Sequence, residues 1–248
     1  MTTWIRALLA TTVTAFLAIP AVASPLPGFQ LVGQSEHFAF YARHGRKTET
    51  KANERFLAKT ALLLDQTTEG QTAYYLHDDA QEVGATTGVY SSGMTELTSG
   101  EIHSTQSYHP HEIVHRVAAE LGDPGSFFHE GLAVSMGDEG KQGGVSVDVL
   151  ARAAVLRYKV RDVVDGFTKV EPHAAYAIAG SFMGYLIRRN GMATVASFFR
   201  GCKPGTVARD RHFQEVFGIR VNEATTAWQL ELGGAPATTA QVAVNSLP

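Results

Sequence analysis

The chain has a single cysteine, Cys202, among 248 residues. No intrachain disulfide is therefore available, and the fold is held by its core and by whatever else it binds. A lone cysteine following Phe198-Phe199 reads as a packed residue, and no motif supplies a base to activate it. Basic excess is absent too: 21 Lys and Arg stand against 24 Asp and Glu, for a net charge of −3. A nucleic-acid-binding face or an anchor to an anionic membrane surface has no support in that balance. After the first twenty residues no segment is long and apolar enough to cross a bilayer. Internal repeats are missing as well.

At the start, Arg6 precedes an apolar run, Ala7 to Ile19, which Pro20 breaks before Ala21-Val22-Ala23. That order reads as a secretory signal peptide over residues 1–23, with Ser24 as the expected mature N-terminus and a retained membrane anchor as the alternative. No cysteine follows the run, so a lipoprotein anchor is not supported. The expected localisation is export, to a periplasm or the extracellular medium, with no stable membrane insertion after cleavage. N-terminal sequencing of the exported protein should begin at Ser24, and an intact Met1 in the membrane fraction would contradict it.

The rest reads as one α+β domain over residues 24–232, with enough apolar residues (44%) for a real core. Strands are expected over His37–Ala42 and Thr72–Leu76, and an edge strand over Gly100–Thr105. An amphipathic helix covers Lys51–Gln66. Gly84 to Gly100, rich in Gly, Ser and Thr, reads as loop with short strands. From Pro110 the pattern turns helical: His111–Leu121, then a breaker at Gly122-Asp123-Pro124-Gly125, then Phe127–Met136 capped by Ser126. Further helices are expected over Val145–Tyr158, Ala174–Asn190, Met192–Arg200 and Asn222–Leu232. Residues 233–248 read as a disordered tail.

Histidines concentrate in one stretch: His103, His109, His111, His115 and His129. Within it, His111-Glu112-Ile113-Val114-His115 is an H-E-x-x-H motif. On a helix, residues four apart share a face, so the two imidazoles can bind one zinc ion. Glu112 then lies beside a metal-bound water and serves as general base in attack on a peptide carbonyl. A catalytic zinc needs a third protein ligand. The metzincin pattern would place Gly at 118 and His at 121, and the chain has Ala118 and Leu121. The gluzincin pattern takes a glutamate from the next helix, and Glu130 stands there between Phe127-Phe128 and Leu132-Ala133. A carboxylate in such apolar surroundings needs a partner.

The motif, followed by Phe127-Phe128-His129-Glu130-Gly131-Leu132-Ala133, resembles the peptidase MA-like gluzincins, small relatives of thermolysin and the zinc aminopeptidases. Tyr176 to Phe182, Tyr185 to Ile187, Asn190-Gly191, Phe213 to Gly218 and Trp228 resemble later segments of that family, so the likeness spans about Phe38 to Leu232. It implies a minimal thermolysin-like fold: a small mixed N-terminal sheet with an edge strand over the cleft, then a mainly helical zinc-binding and C-terminal part. It also implies one Zn2+ per chain on His111, His115 and Glu130, a peptide or protein substrate, and an oxyanion partner on the helix after the site. Tyr176 is the first choice for that role and His173 the second. His103 on the expected edge strand is a candidate for lining the cleft, and His109 is expected to be exposed. His129, pointing away from Glu130, is expected to support the site or lie at the surface.

Two departures stand out. The family's carboxylate one turn after the third ligand is here Val134, so the histidines must be oriented from elsewhere. Gly93-Met94-Thr95-Glu96 only faintly echoes the segment by which aminopeptidases read the substrate amine, which favours endopeptidase action. The rival expectations are a narrow processing or cell-wall peptidase, a non-catalytic relative that keeps zinc and binds a peptide or partner, and a plain binding module.

Overall fold

Alternation of side chains builds the sheet from both sides at once. The computed structural model describes residues 25–234. In β2 (Phe38–Ala42), Phe38, Phe40 and Ala42 enter the main core, while Ala39 and Tyr41 enter a smaller cluster on the opposite face. β3 (Thr72–Leu76) divides in the same way, with Tyr74 and Leu76 on one side and Ala73 and Tyr75 on the other. Both strands are therefore fully buried, as strands covered on both faces must be. They pair parallel, which requires a crossover, and α1 (Thr50–Leu64) supplies it. β1 (Gln30–Gln34) adds antiparallel to the outside of β2.

After β3 come α2 (Ala80–Thr87), β4 (Gly93–Thr95) and β5 (Ile102–Ser104). β5 lies parallel to β3 and β4 antiparallel to β5, giving the order β1-β2-β3-β5-β4. The segment expected at the edge is thus interior, and the edge strands are β1 and β4. Strands at 30–34 and the helix at 80–87 were not anticipated. The latter is fixed by Asp79, whose side chain accepts the Glu82 N–H at 2.9 Å.

The remainder is mostly helical: α3 (Pro110–Ala118), α4 (Ser126–Met136), the hairpin of β6 (Lys141–Gln142) and β7 (Val145–Ser146), then α5 (Val147–Ala154), α6 (Val160–Asp165), α7 (Pro172–Asn190), α8 (Met192–Phe199), α9 (Thr206–Phe217) and α10 (Val221–Gly234). The molecule is a mixed α+β fold with a small sheet and a helical remainder. α3 packs beside α1 and β4, α4 lies on α3, and α7 runs along α4 and α5. Trp228 of α10 donates to Ser181 Oγ on α7, which in turn donates to Asp148 on α5 at 2.6 Å. Ser126 does not cap α4; it is the first helical residue, and Gly125 occupies the cap position without a side chain. Residues 233 and 234 belong to α10; the rest of the expected tail and the signal peptide lie outside the described residues. No helix among the described residues is long and apolar enough to cross a membrane.

Behind β5, His77 Nε2 and His103 Nδ1 lie 3.0 Å apart, both buried. His103 stacks on Tyr75 with centroids 5.0 Å apart, on the face away from α3. Arg43, Arg46, Asp78 and Glu82 face His77, and Glu96 faces His103. Burial, and then the neighbouring imidazole, push His103 down to about 4. An unfolded histidine titrates near 6.5. Between those values the unfolded chain binds a proton that the folded chain refuses, so the stabilisation is intact above about 6.5 and lost as pH falls toward 4. Urea unfolding should show a loss approaching roughly 3 kcal/mol across that window. His103→Phe should flatten it; an unchanged slope would acquit the pair.

Candidate metal centre

Pro110 opens α3 where a missing N–H costs nothing. One turn of helix then separates His111 from His115, and their Nε2 atoms lie 3.1 Å apart. After the turn at 122–125, α4 runs back along α3. It brings Glu130 Oε2 to 3.1 Å from His111 Nε2 and 3.3 Å from His115 Nε2. The three side chains are only 12%, 8% and 21% exposed, so water screens them little.

A further carboxylate decides what this triangle wants. Asp138, just past α4, holds His111 Nδ1 at 2.7 Å. It is reached because the end of α4 comes close against the start of α3: a Cβ on Gly137 would sit 2.6 Å from the His111 backbone. An ionised carboxylate only accepts, so Nδ1 carries a proton toward Asp138. Nε2 faces Glu130 Oε2, another acceptor, so a second proton or a cation belongs between them. Burial alone would lower the His111 imidazole, but hydrogen bonds to Asp138 and Glu130 and the charge of Glu112 outweigh it and lift it to about 10. Burial would likewise raise Glu130, yet the two histidines hold it far below the usual carboxylate range.

A tetrahedral ion with bonds of about 2.0–2.1 Å spaces its ligand atoms about 3.3 Å apart, and the observed edges are 3.1–3.3 Å. The adjoining cavity, of about 290 Å³, is lined by Glu112, Asp123 and Glu130 and by no lysine or arginine. His111, His115 and Glu130 therefore form a group that can hold a metal ion.

Glu112 is buried beside them. Thr95 Oγ on β4 lies 2.8 Å from its Oε2 and 3.0 Å from its carbonyl oxygen, so the hydroxyl directs its one proton to either. Oε1 lies on the Gly93 side, where a Cβ would meet it at 2.6 Å and the His109 ring at 2.3 Å. Only glycine leaves the carboxylate and the imidazole their present places. Comparison of the chain with family models, with curated proteins and with solved structures finds no match, so the site is read from its own chemistry.

The remaining candidates separate. Tyr176 lines the cavity, its ring 6.3 Å from that of His111, and burial followed by the Glu130 charge raises its phenol well above the ordinary value. His173 is exposed and paired with Gln142 at 2.9 Å, outside the cavity. His103 lies on the far face of the sheet and lines no part of the cleft. His109 is not exposed but half-buried, bonded to Ser104 Oγ at 2.8 Å. His129 is buried at 3% exposure and borders the cavity. Sequence reasoning missed Asp138, and it named Gly93 and Thr95 only as a faint echo of a substrate-reading segment, not as neighbours of Glu112. Asp138 answers the question left by Val134, but it does so through helix packing that no spacing rule encodes.

Metal analysis after dialysis against zinc should find one ion per chain. Glu130→Ala should lose most of it, and Asp138→Asn should weaken binding about 10- to 100-fold. Stoichiometric, tight zinc in Glu130→Ala would remove Glu130 from the ligand set.

Proposed function

We propose that this protein is an exported zinc metallopeptidase of the gluzincin type, a minimal thermolysin-like enzyme that cleaves within peptides. The observation that carries the reading is the placing of Glu112: a buried carboxylate tied to the edge strand, next to a triangle of acceptors that suits one divalent ion. A closed structural site needs four protein ligands and no such base. Three ligands and an adjoining cavity suit catalysis instead.

His111, His115 and Glu130 would hold the zinc, and two nitrogens with one oxygen is a donor set that zinc accepts. When bound, zinc supplies Lewis acidity toward a carbonyl oxygen and acidifies water. Asp138 keeps His111 in the tautomer that presents Nε2. Thr95 restrains one oxygen of Glu112 and leaves Oε1 to accept a proton from the attacking water. The same oxygen then delivers that proton to the departing amine nitrogen. Tyr176 stays protonated at neutral pH and donates its O–H to the negative charge growing on the carbonyl oxygen. Among the described residues β4 has no strand on its outer edge, where an extended substrate can align.

Glu112→Gln preserves shape but cannot take the proton. Peptide hydrolysis should fall by about two to four powers of ten, with zinc measured on the same sample and unchanged. Full activity with zinc retained would remove Glu112 as base. A zinc-loaded wild type that hydrolyses no peptide would instead leave a non-catalytic relative that binds peptide.

A further inference from the structure

Charge in the cavity is one-sided, and one carboxylate is left over. Glu112, Glu130 and Asp123 line it, and no lysine or arginine does. Glu130 belongs to the ligand group and Glu112 lies buried beside it, so one divalent ion matches these two charges. Asp123 stands apart from that balance. Its only ion-pair neighbour among the described residues is His129 Nε2, at 3.7 Å, which is beyond hydrogen-bond reach.

The carboxylate is nonetheless firmly placed. Gly122 packs so closely on the turn after α8 that a Cβ would lie 2.4 Å from the Phe199 carbonyl oxygen. The Asp123 N–H donates to the Cys202 carbonyl at 3.2 Å, and Asp123 Oδ1 accepts the Gly125 N–H at 2.8 Å. That leaves Oδ2 without a hydrogen bond among the described residues, on a side chain 50% exposed at the cavity. Val89, Met94 and Leu97 give the same cavity an apolar lining. Apolar lining with a carboxylate at its margin suits a long aliphatic stem that ends in a positive charge. An acidic side chain would meet like charge instead. At about 290 Å³ the cavity is at the small end for a ligand site. A side chain that reaches Asp123 therefore belongs to a residue close to the bond that faces Glu112.

We infer that Asp123 is a specificity-determining residue of this cavity, and that the peptides it takes carry a lysine or arginine close to the bond that is cut. This inference deepens the metallopeptidase reading and rests on it.

The test uses end-blocked hexapeptides of alanine, leucine and glycine, in which a single lysine, glutamine or glutamate is moved from position to position. Wild type is compared with Asp123→Asn, which keeps an acceptor for the Gly125 N–H and so preserves the turn before α4. Close to the cleaved bond, kcat/KM for the lysine peptide should exceed that for the glutamine peptide about tenfold. The glutamate peptide should be poorest, and the gap should narrow as salt is raised. Asp123→Asn should bring lysine down to the level of glutamine and leave glutamine unchanged; a merely structural fault would lower all three alike. The same ranking should appear without turnover, as calorimetric affinity of the peptides for zinc-loaded Glu112→Gln. Equal kcat/KM for lysine and glutamine at every position, or a lysine preference that survives in Asp123→Asn, overturns the inference and leaves the peptidase standing. Should Asp123→Asn fail to fold, a wild-type lysine preference indifferent to salt overturns it. A wild type that cleaves none of the peptides, while Glu112→Gln still binds lysine best, would overturn the peptidase reading and uphold the role of Asp123 in binding.

Discussion

Everything around α3 and α4 turns on one close meeting: two imidazole Nε2 atoms and a carboxylate oxygen, 3.1–3.3 Å apart. Atoms of this kind lie that close only with a proton or a cation among them. With His111 lifted to about 10, a metal-free site carries a proton there at neutral pH. Metal uptake then displaces that proton, and affinity falls as the solution becomes more acidic. The folding energy of the rest of the molecule is what brings these groups together and takes them largely out of water.

That energy is apolar and is concentrated where α4 lies between α3 and α7. Phe127, Phe128, Leu132 and Ala133 are buried at 0–1% exposure, and they surround the one position on this stretch that must carry charge. Strands β2, β3 and β5 add to this core, whereas β4 at the edge of the sheet does not and instead brings Thr95 to Glu112.

Much of this was legible in the sequence, and the boundary of legibility has a physical cause. Local periodicity and breakers located α1, α3, α4, α7 and α8 within a few residues, because those signals act over one or two turns. His111 and His115 were legible from their i,i+4 spacing and Glu130 from the gluzincin pattern, and the fold brings the three together as a group that can hold a metal ion. β1 was missed because Gln-Leu-Val-Gly-Gln does not alternate; its pairing comes from β2 alone. α2 was hidden by its Gly and Thr content, although Asp79 and Glu82 three residues apart were a readable start signal. α9 is rich in charge and shows too weak an apolar stripe to be read as a helix from its sequence. Asp138, Thr95 and the burial of His129 were beyond reach, since each depends on how two elements approach in space.

One consequence of α4 concerns its length. The helix and the residues just past it carry Glu130 and Asp138, which between them reach both His111 and His115. Inserting one residue within a helix rotates the residues beyond it by about 100° and shifts them about 1.5 Å. An insertion after Glu130 would therefore part Asp138 from His111 while leaving Glu130 in place. A deletion there would act in the opposite sense, so the length of α4 between Glu130 and its end matters as much as the identity of the residues on it.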